Sequence, residues 1–221
     1  MSRLKRSSFL FFSLSILVFA GGAAIAQSGN EVEMSGISGE RTAPRRHFRL
    51  RDPARISAEK AESIYQIAVR ALEAGYARAN KSAVRSYLRW RRYNRAPYLS
   101  STHGNHYINN YANETAADYG LFEKAGRLPV GSVIAKDSFS VTETGGVLLG
   151  SLFVMEKMPR GFNYVSGDWK YTLIQPDGRI LGETNGPGSE RVEYCIACHL
   201  AAEPQDHLFF MPPAYRNAGP E

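Results

Sequence analysis

Apolar and polar positions change period once along the chain. Between residues 58 and 79, Ile64, Ile67, Ala68, Ala71, Leu72 and Tyr76 recur at helical spacing, with Glu62, Arg70 and Glu73 on the other face. Ser57 stands where an N-cap belongs, so the pattern predicts a helix over 58–79. A second helical stretch is expected over 81–93. Residues 95–113 are rich in hydrogen-bonding side chains with little apolar periodicity, which predicts a polar loop packed against the domain. A short helix over 116–126 ends at Gly126. From there the period is two. Segments at 132–141, 146–158, 169–175 and 179–183 predict strands, with a Pro176-Asp177-Gly178 turn between the last two. Adjacent strands on short loops make an antiparallel sheet. The expected fold class is α+β: a mainly antiparallel β-sheet domain, helices at its N-terminal side, and a C-terminal helix after the Asn185-Gly186-Pro187-Gly188 break.

Two charges interrupt the strands. Lys136 follows Ser132 and Ile134 on one face, and Glu156 follows Leu148, Gly150, Leu152 and Val154 on one face. Each is either a rim charge, reaching water or a cross-strand Lys–Glu partner, or a group inside a pocket. In a pocket, burial displaces the pKa and prepares the group to relay protons.

Residues 1–26 read as a secretory signal peptide. Arg3, Lys5 and Arg6 give the charged start, residues 9–20 the apolar core, and Ala24-Ile25-Ala26 the cleavage pattern. The apolar run is shorter than the ~20 residues of a comfortable span; an uncleaved anchor is the alternative. The expected location is periplasmic or secreted. The net charge of +6 falls to +3 once those three basic residues are removed, too little to argue for nucleic acid. Residues 27–55 are Gly, Ser, Pro and charge, a basic linker expected to be poorly ordered. Its Arg41, Arg45, Arg46, Arg49, Arg51 and Arg55, with His47, either are simply solvated or dock to an acidic partner or anionic lipid. Arginines interleaved with Tyr87, Trp90 and Tyr93 can serve single-stranded nucleic acid. We read them instead as aromatic packing with solvated or paired arginines, and expect no nucleic-acid partner. His103 and His106, three apart, would need a further ligand to hold a metal, and none is near in sequence.

The chain's two cysteines lie in Cys195-Ile196-Ala197-Cys198-His199, the C-x-x-C-H pattern of c-type haem attachment. Two thiols on one helical turn can each add across a haem vinyl group, and the next residue brings an imidazole to the iron. A disulfide or a thioredoxin-like redox pair are the alternatives, but the flanks lack the strand that such a pair follows. Zinc would want two more ligands at finger-like spacing.

Beyond that motif the chain resembles the cytochrome P-460 family, which includes the beta-type cytochromes c-prime. The resemblance runs from about Arg95 to Arg216. It is carried by Tyr111-Ala-Asn-Glu, Gly131-Ser-Val-Ile-Ala-Lys136, Met155-Glu156-Lys157-Met158, Gly167-Asp-Trp-Lys-Tyr171, Cys195 to His199, and Asp206-His-Leu-Phe-Phe to Tyr215-Arg216. It implies residues 95–221 as the haem domain, 56–94 as a helical extension in front of it, and a homodimer with five-coordinate haem c. Cys195 and Cys198 match the attachment cysteines and His199 the iron ligand. In catalytic members a strand lysine is joined to the porphyrin and a distal carboxylate removes protons from hydroxylamine; Lys136 and Glu156 fall at those places. The implied activity is oxidation of hydroxylamine or nitric oxide, with electrons passing to a soluble cytochrome. The beta-type cytochromes c-prime lack the crosslink and bind nitric oxide or carbon monoxide in an apolar pocket. Lys157-Met158-Pro159-Arg160-Gly161 departs from the characterised oxidases, which bears on the substrate more than on the fold. Arg216 could pair a haem propionate through its planar fork. Simple electron transfer would ask for a sixth ligand, for which Met211 is the candidate ahead of Met155 and Met158. The motifs leave Asp206 and Trp169 without a defined job.

Overall fold

The computed structural model describes residues 53–217. The signal peptide and all but the end of the basic linker lie outside the described residues. No described helix is long and apolar enough to cross a membrane.

Helix α1 (Ala58–Ala77) starts at Ser57, whose side chain accepts the Lys60 N–H at 3.3 Å. Its buried stripe is Ala61, Tyr65, Ala68, Leu72 and Tyr76, spaced by three and four residues. Ile67 points away from the core and is 81 % exposed. The stripe lies on an antiparallel sheet of eight strands, which bears out the α+β expectation.

The strands are β1 (Arg91–Arg92), β2 (Tyr98–Ser100), β3 (His106–Ala112), β4 (Val133–Val141), β5 (Val147–Leu149), β6 (Leu152–Lys157), β7 (Trp169–Ile174) and β8 (Ile180–Glu183). The main path is β1-β3-β4-β6-β7-β8, with β2 on β3 and β5 on β4. All nine residues of β4 are buried. Strand alternation sends Val133, Ala135, Phe139 and Val141 into one core with α1. Ile134 faces a second core on the opposite side, with Ile108, Met155, Trp169 and Leu173. Helix α2 (Glu193–His199) and 3₁₀ turns complete the fold.

Three predicted segments differ. The helix expected over 81–93 is two 3₁₀ turns, Ser82–Val84 and Tyr87–Arg89, followed by β1. Ser86, with φ −131°, breaks the helical path between the turns, and Tyr87 instead sends its hydroxyl to Asp137 at 3.1 Å. The polar loop expected over 95–113 holds β2 and the fully buried β3. Its asparagines tolerate burial because each is partnered. Asn109 Nδ2 donates to Asp137 Oδ1 at 2.9 Å, and Asn110 Nδ2 donates to the Tyr119 hydroxyl at 2.8 Å. The strand expected over 146–158 is interrupted at Gly150 and Ser151, giving β5 and β6.

Candidate functional site

A cavity of about 790 Å³ opens on the sheet face opposite α1. Ile134 and Lys136 of β4, Phe153 and Met155 of β6, and Tyr171 and Leu173 of β7 form its sheet wall. Cys195, Cys198 and His199 of α2 line it too, as do residues 98–104 and Phe209, Phe210 and Pro212. The size suits a cofactor, and the walls are mostly apolar with few polar groups, as cofactor pockets are.

The α2 motif meets the cavity as its spacing required. Both thiols are free, Cys195 half-buried and Cys198 exposed. Burial pushes the Cys195 thiol up to about 12. His199 is buried, with ring centroids 5.2 Å from Tyr171 and 5.3 Å from Phe209. Its Nδ1 lies 2.6 Å from the His207 carbonyl oxygen. A carbonyl only accepts, so Nδ1 carries the proton and Nε2 keeps the lone pair that a metal needs. Burial, and then the Lys136 ammonium, lower the imidazole pKa to about 3, so the ring is neutral at physiological pH.

Lys136 is 5 % exposed and lines the cavity. Burial lowers its pKa to about 8, with the Cys198 sulfur opposing the shift. Glu156 is not on this face. Strand alternation groups it with Leu152 and Val154, the α1-side residues of β6, while Phe153, Met155 and Lys157 take the cavity side. It pairs with Lys170 of β7, its register partner, at 2.5 Å. The expectation of Glu156 as a distal carboxylate is therefore corrected: it forms a cross-strand Lys–Glu pair and does not line the cavity. Arg216 is also placed elsewhere. Its fork binds Glu123, its Nε–H donates to the Met211 carbonyl at 2.9 Å, and its guanidinium sits 4.2 Å from the Phe122 ring centre. It fastens the C-terminal segment and does not line the cavity, so the propionate expectation is corrected too. Met211 is fully buried in the core beside the cavity, not in its wall, whereas Met155 does line it.

Sequence reasoning missed two groups. His103 lines the cavity, its Nδ1 2.8 Å from the Ser100 hydroxyl and its ring 5.0 Å from that of Phe153. Its spacing from His106 suggests only a metal pair and carries no signal of the cavity. Tyr171 lines the cavity with a buried hydroxyl that has no hydrogen-bond partner among the described residues.

Among the described residues no group of three or more His, Cys, Asp or Glu is arranged to hold a metal ion. A haem iron, which has four ligands from its macrocycle, needs only one such residue from the chain, and His199 can supply it. The apolar slot, the neutral imidazole with a free Nε2, the two thiols beside it and the orphan Tyr171 hydroxyl all fit a haem. The site thus defines a haem protein of the cytochrome class. The family model described as Cytochrome P460 matches residues 84–210, more than half of the chain, and the chain belongs to that family. No curated protein matches it.

Proposed function

We propose that this haem cytochrome is a periplasmic enzyme that oxidises hydroxylamine or nitric oxide and passes the electrons to a soluble cytochrome. Cys195 and Cys198 would hold the haem through thioether bonds, and His199 Nε2 would ligate its iron. Haem, when bound, supplies an iron with an open sixth position for a small nitrogen ligand. The observation that carries the enzymatic reading is Lys136. A lysine buried in the cavity wall, its pKa lowered to about 8, holds part of its population as a neutral amine. That lone pair can attack a porphyrin carbon; the C–N bond would replace one N–H and one porphyrin C–H, a two-electron oxidation that needs an added oxidant of the peroxide class, and the family resemblance puts the crosslinking lysine at this position. With Glu156 outside the cavity, His103 is the base we assign to accept protons from the substrate. Homodimer formation has support in β5, whose Val147, Leu148 and Leu149 are exposed.

A gas-binding cytochrome of the beta c-prime kind is the second reading. The apolar walls and the displacement of Glu156 favour it.

The test pairs the absorption spectrum of dithionite-reduced holoprotein with the masses of its tryptic peptides. Enzymatic function predicts a red-shifted Soret band and haem joined to peptides containing Cys195, Cys198 and Lys136. Lys136→Met then gives an ordinary c-type spectrum, and His103→Ala keeps nitric oxide binding but loses about 100-fold in hydroxylamine turnover, the lower end of the range for a general base. Haem on the cysteine peptide alone in the unaltered protein would favour gas binding. Undiminished turnover in His103→Ala would remove His103 from proton transfer.

A further inference from the structure

The orientation of His199 depends on one acceptor, the carbonyl of His207. That carbonyl sits in a strained turn. Asp206 and His207 are consecutive residues at positive φ, +54° and +62°, and neither is glycine. Non-glycine residues hold this conformation only where surrounding contacts over-determine it.

Three side chains supply those contacts. The Asp206 carboxylate is buried, with Oδ1 2.5 Å from Lys157 Nζ and Oδ2 accepting the Leu128 backbone N–H at 3.0 Å. Trp169 Nε1–H donates to the Asp206 carbonyl at 2.8 Å. Lys157 is itself fixed. It donates to the Gly167 carbonyl at 2.8 Å, and its ammonium lies 4.9 Å from the Trp169 ring centre. Lys157 on β6 and Trp169 on β7 are register partners, so the clamp is anchored in the sheet. What it holds is the segment that follows α2. None of the three side chains lines the cavity.

We propose that Lys157, Asp206 and Trp169 are positioning residues for His199. They hold the His207 carbonyl as the acceptor of the Nδ1 proton, and so set the tautomer and basicity that the imidazole presents to iron. This rests on the reading of His199 as the axial ligand. A firm acceptor at Nδ1 gives the ring partial imidazolate character, which favours ferric over ferrous iron. The same clamp gives the Asp206 and Trp169 motifs their job.

The test uses haem-loaded protein and two readouts: the iron–histidine stretching band of the ferrous state by resonance Raman, and the midpoint potential by redox titration. Asp206→Asn keeps a residue that tolerates the left-handed backbone and an acceptor for Leu128, but removes the charge facing Lys157. Trp169→Phe keeps an aromatic ring in the core but removes the donor to the Asp206 carbonyl, and carries the test if the first variant does not fold. Both are expected to lower the band frequency. Both are also expected to raise the potential by the equivalent of a ten-fold change in the one-electron equilibrium, about 59 mV. Lys157→Arg, which keeps the cation, is expected to shift both readouts less than Lys157→Met. Unshifted band and potential in folded, haem-loaded Asp206→Asn and Trp169→Phe would overturn the proposal. A missing iron–histidine band in the unaltered protein would instead remove His199 as the ligand, and with it the reading beneath.

Discussion

Lys136 and Asp137 are neighbours on β4, so the strand sends one to the cavity and the other beneath α1. Burial acts on both. It lowers the lysine to about 8 and pushes the Asp137 carboxyl up to about 6. Asp137 differs in having donors on every side: Tyr65 at 2.6 Å, Tyr87 at 3.1 Å and Asn109 at 2.9 Å. Tyr65 also shares a 2.5 Å hydrogen bond with Tyr111, and its ring carries the Arg92 guanidinium, which is paired to Glu62. Those hydrogen bonds oppose the shift but do not cancel it. Folded Asp137 binds its proton more tightly than the unfolded residue, whose pKa is about 3.9. Its stability contribution is therefore fully present below about pH 4 and is lost as the pH rises through about 6, a change of about 3 kcal/mol. Asp137→Asn should flatten stability between those values, read from urea midpoints across the range. An unchanged slope would assign the pH dependence to another group. Asp137 was legible by the argument that singled out Lys136, since it interrupts the apolar row Val133, Ala135, Phe139 and Val141.

At the scale of elements, α1 and the paired strands were legible because their periodicity reports one-sided burial. The parity of Glu156 was also read correctly, since Leu152, Val154 and Glu156 do share a face. Which face holds the cavity is decided by where α1 and α2 pack, and that is not local information. The β4–β6 register pairs Lys136 with Phe153, so the lysine's neighbours have the other parity. Strand β3 was hidden for a related reason: its asparagines look like loop residues until Tyr98, Tyr119 and Asp137 arrive to bind them. The contact between α1 and the β7–β8 hairpin gives a prediction in which the sign is diagnostic. A Cβ on Gly75 would lie 2.0 Å from the Pro176 carbonyl oxygen. Glycine to alanine inside a helix ordinarily stabilises by up to about 1 kcal/mol. Gly75→Ala should instead destabilise by about 1–3 kcal/mol, because the hairpin backbone must move. Thermal melting of the two proteins decides it, and a raised melting temperature would mean that the hairpin docks loosely.

Across the whole molecule, the helix read from sequence as an extension in front of the haem domain shares that domain's core. Tyr65, Leu72 and Tyr76 of α1 pack in one cluster with Ala135, Phe139, Leu152 and Val154 of the sheet. The family model begins at residue 84, after α1, yet the sheet it covers has its back face closed by this helix. Removing residues 53–94 would expose that apolar face and strip Asp137 of its Tyr65 and Tyr87 donors. Asp137 would keep only its Asn109 donor, and a bare apolar sheet face costs several kcal/mol, comparable to the whole stability of a domain this size. Lys136 would lose its fixed place with them, since β4 serves both faces. A chain of residues 95–221 should therefore show no cooperative thermal transition and take up no haem, whereas one beginning at residue 53 should melt cooperatively and bind haem. Circular dichroism melts and haem stoichiometry of the two purified chains make the comparison. Cooperative melting with full haem content in the shorter chain would make α1 an accessory, and the back face of the sheet a surface that another element can cover.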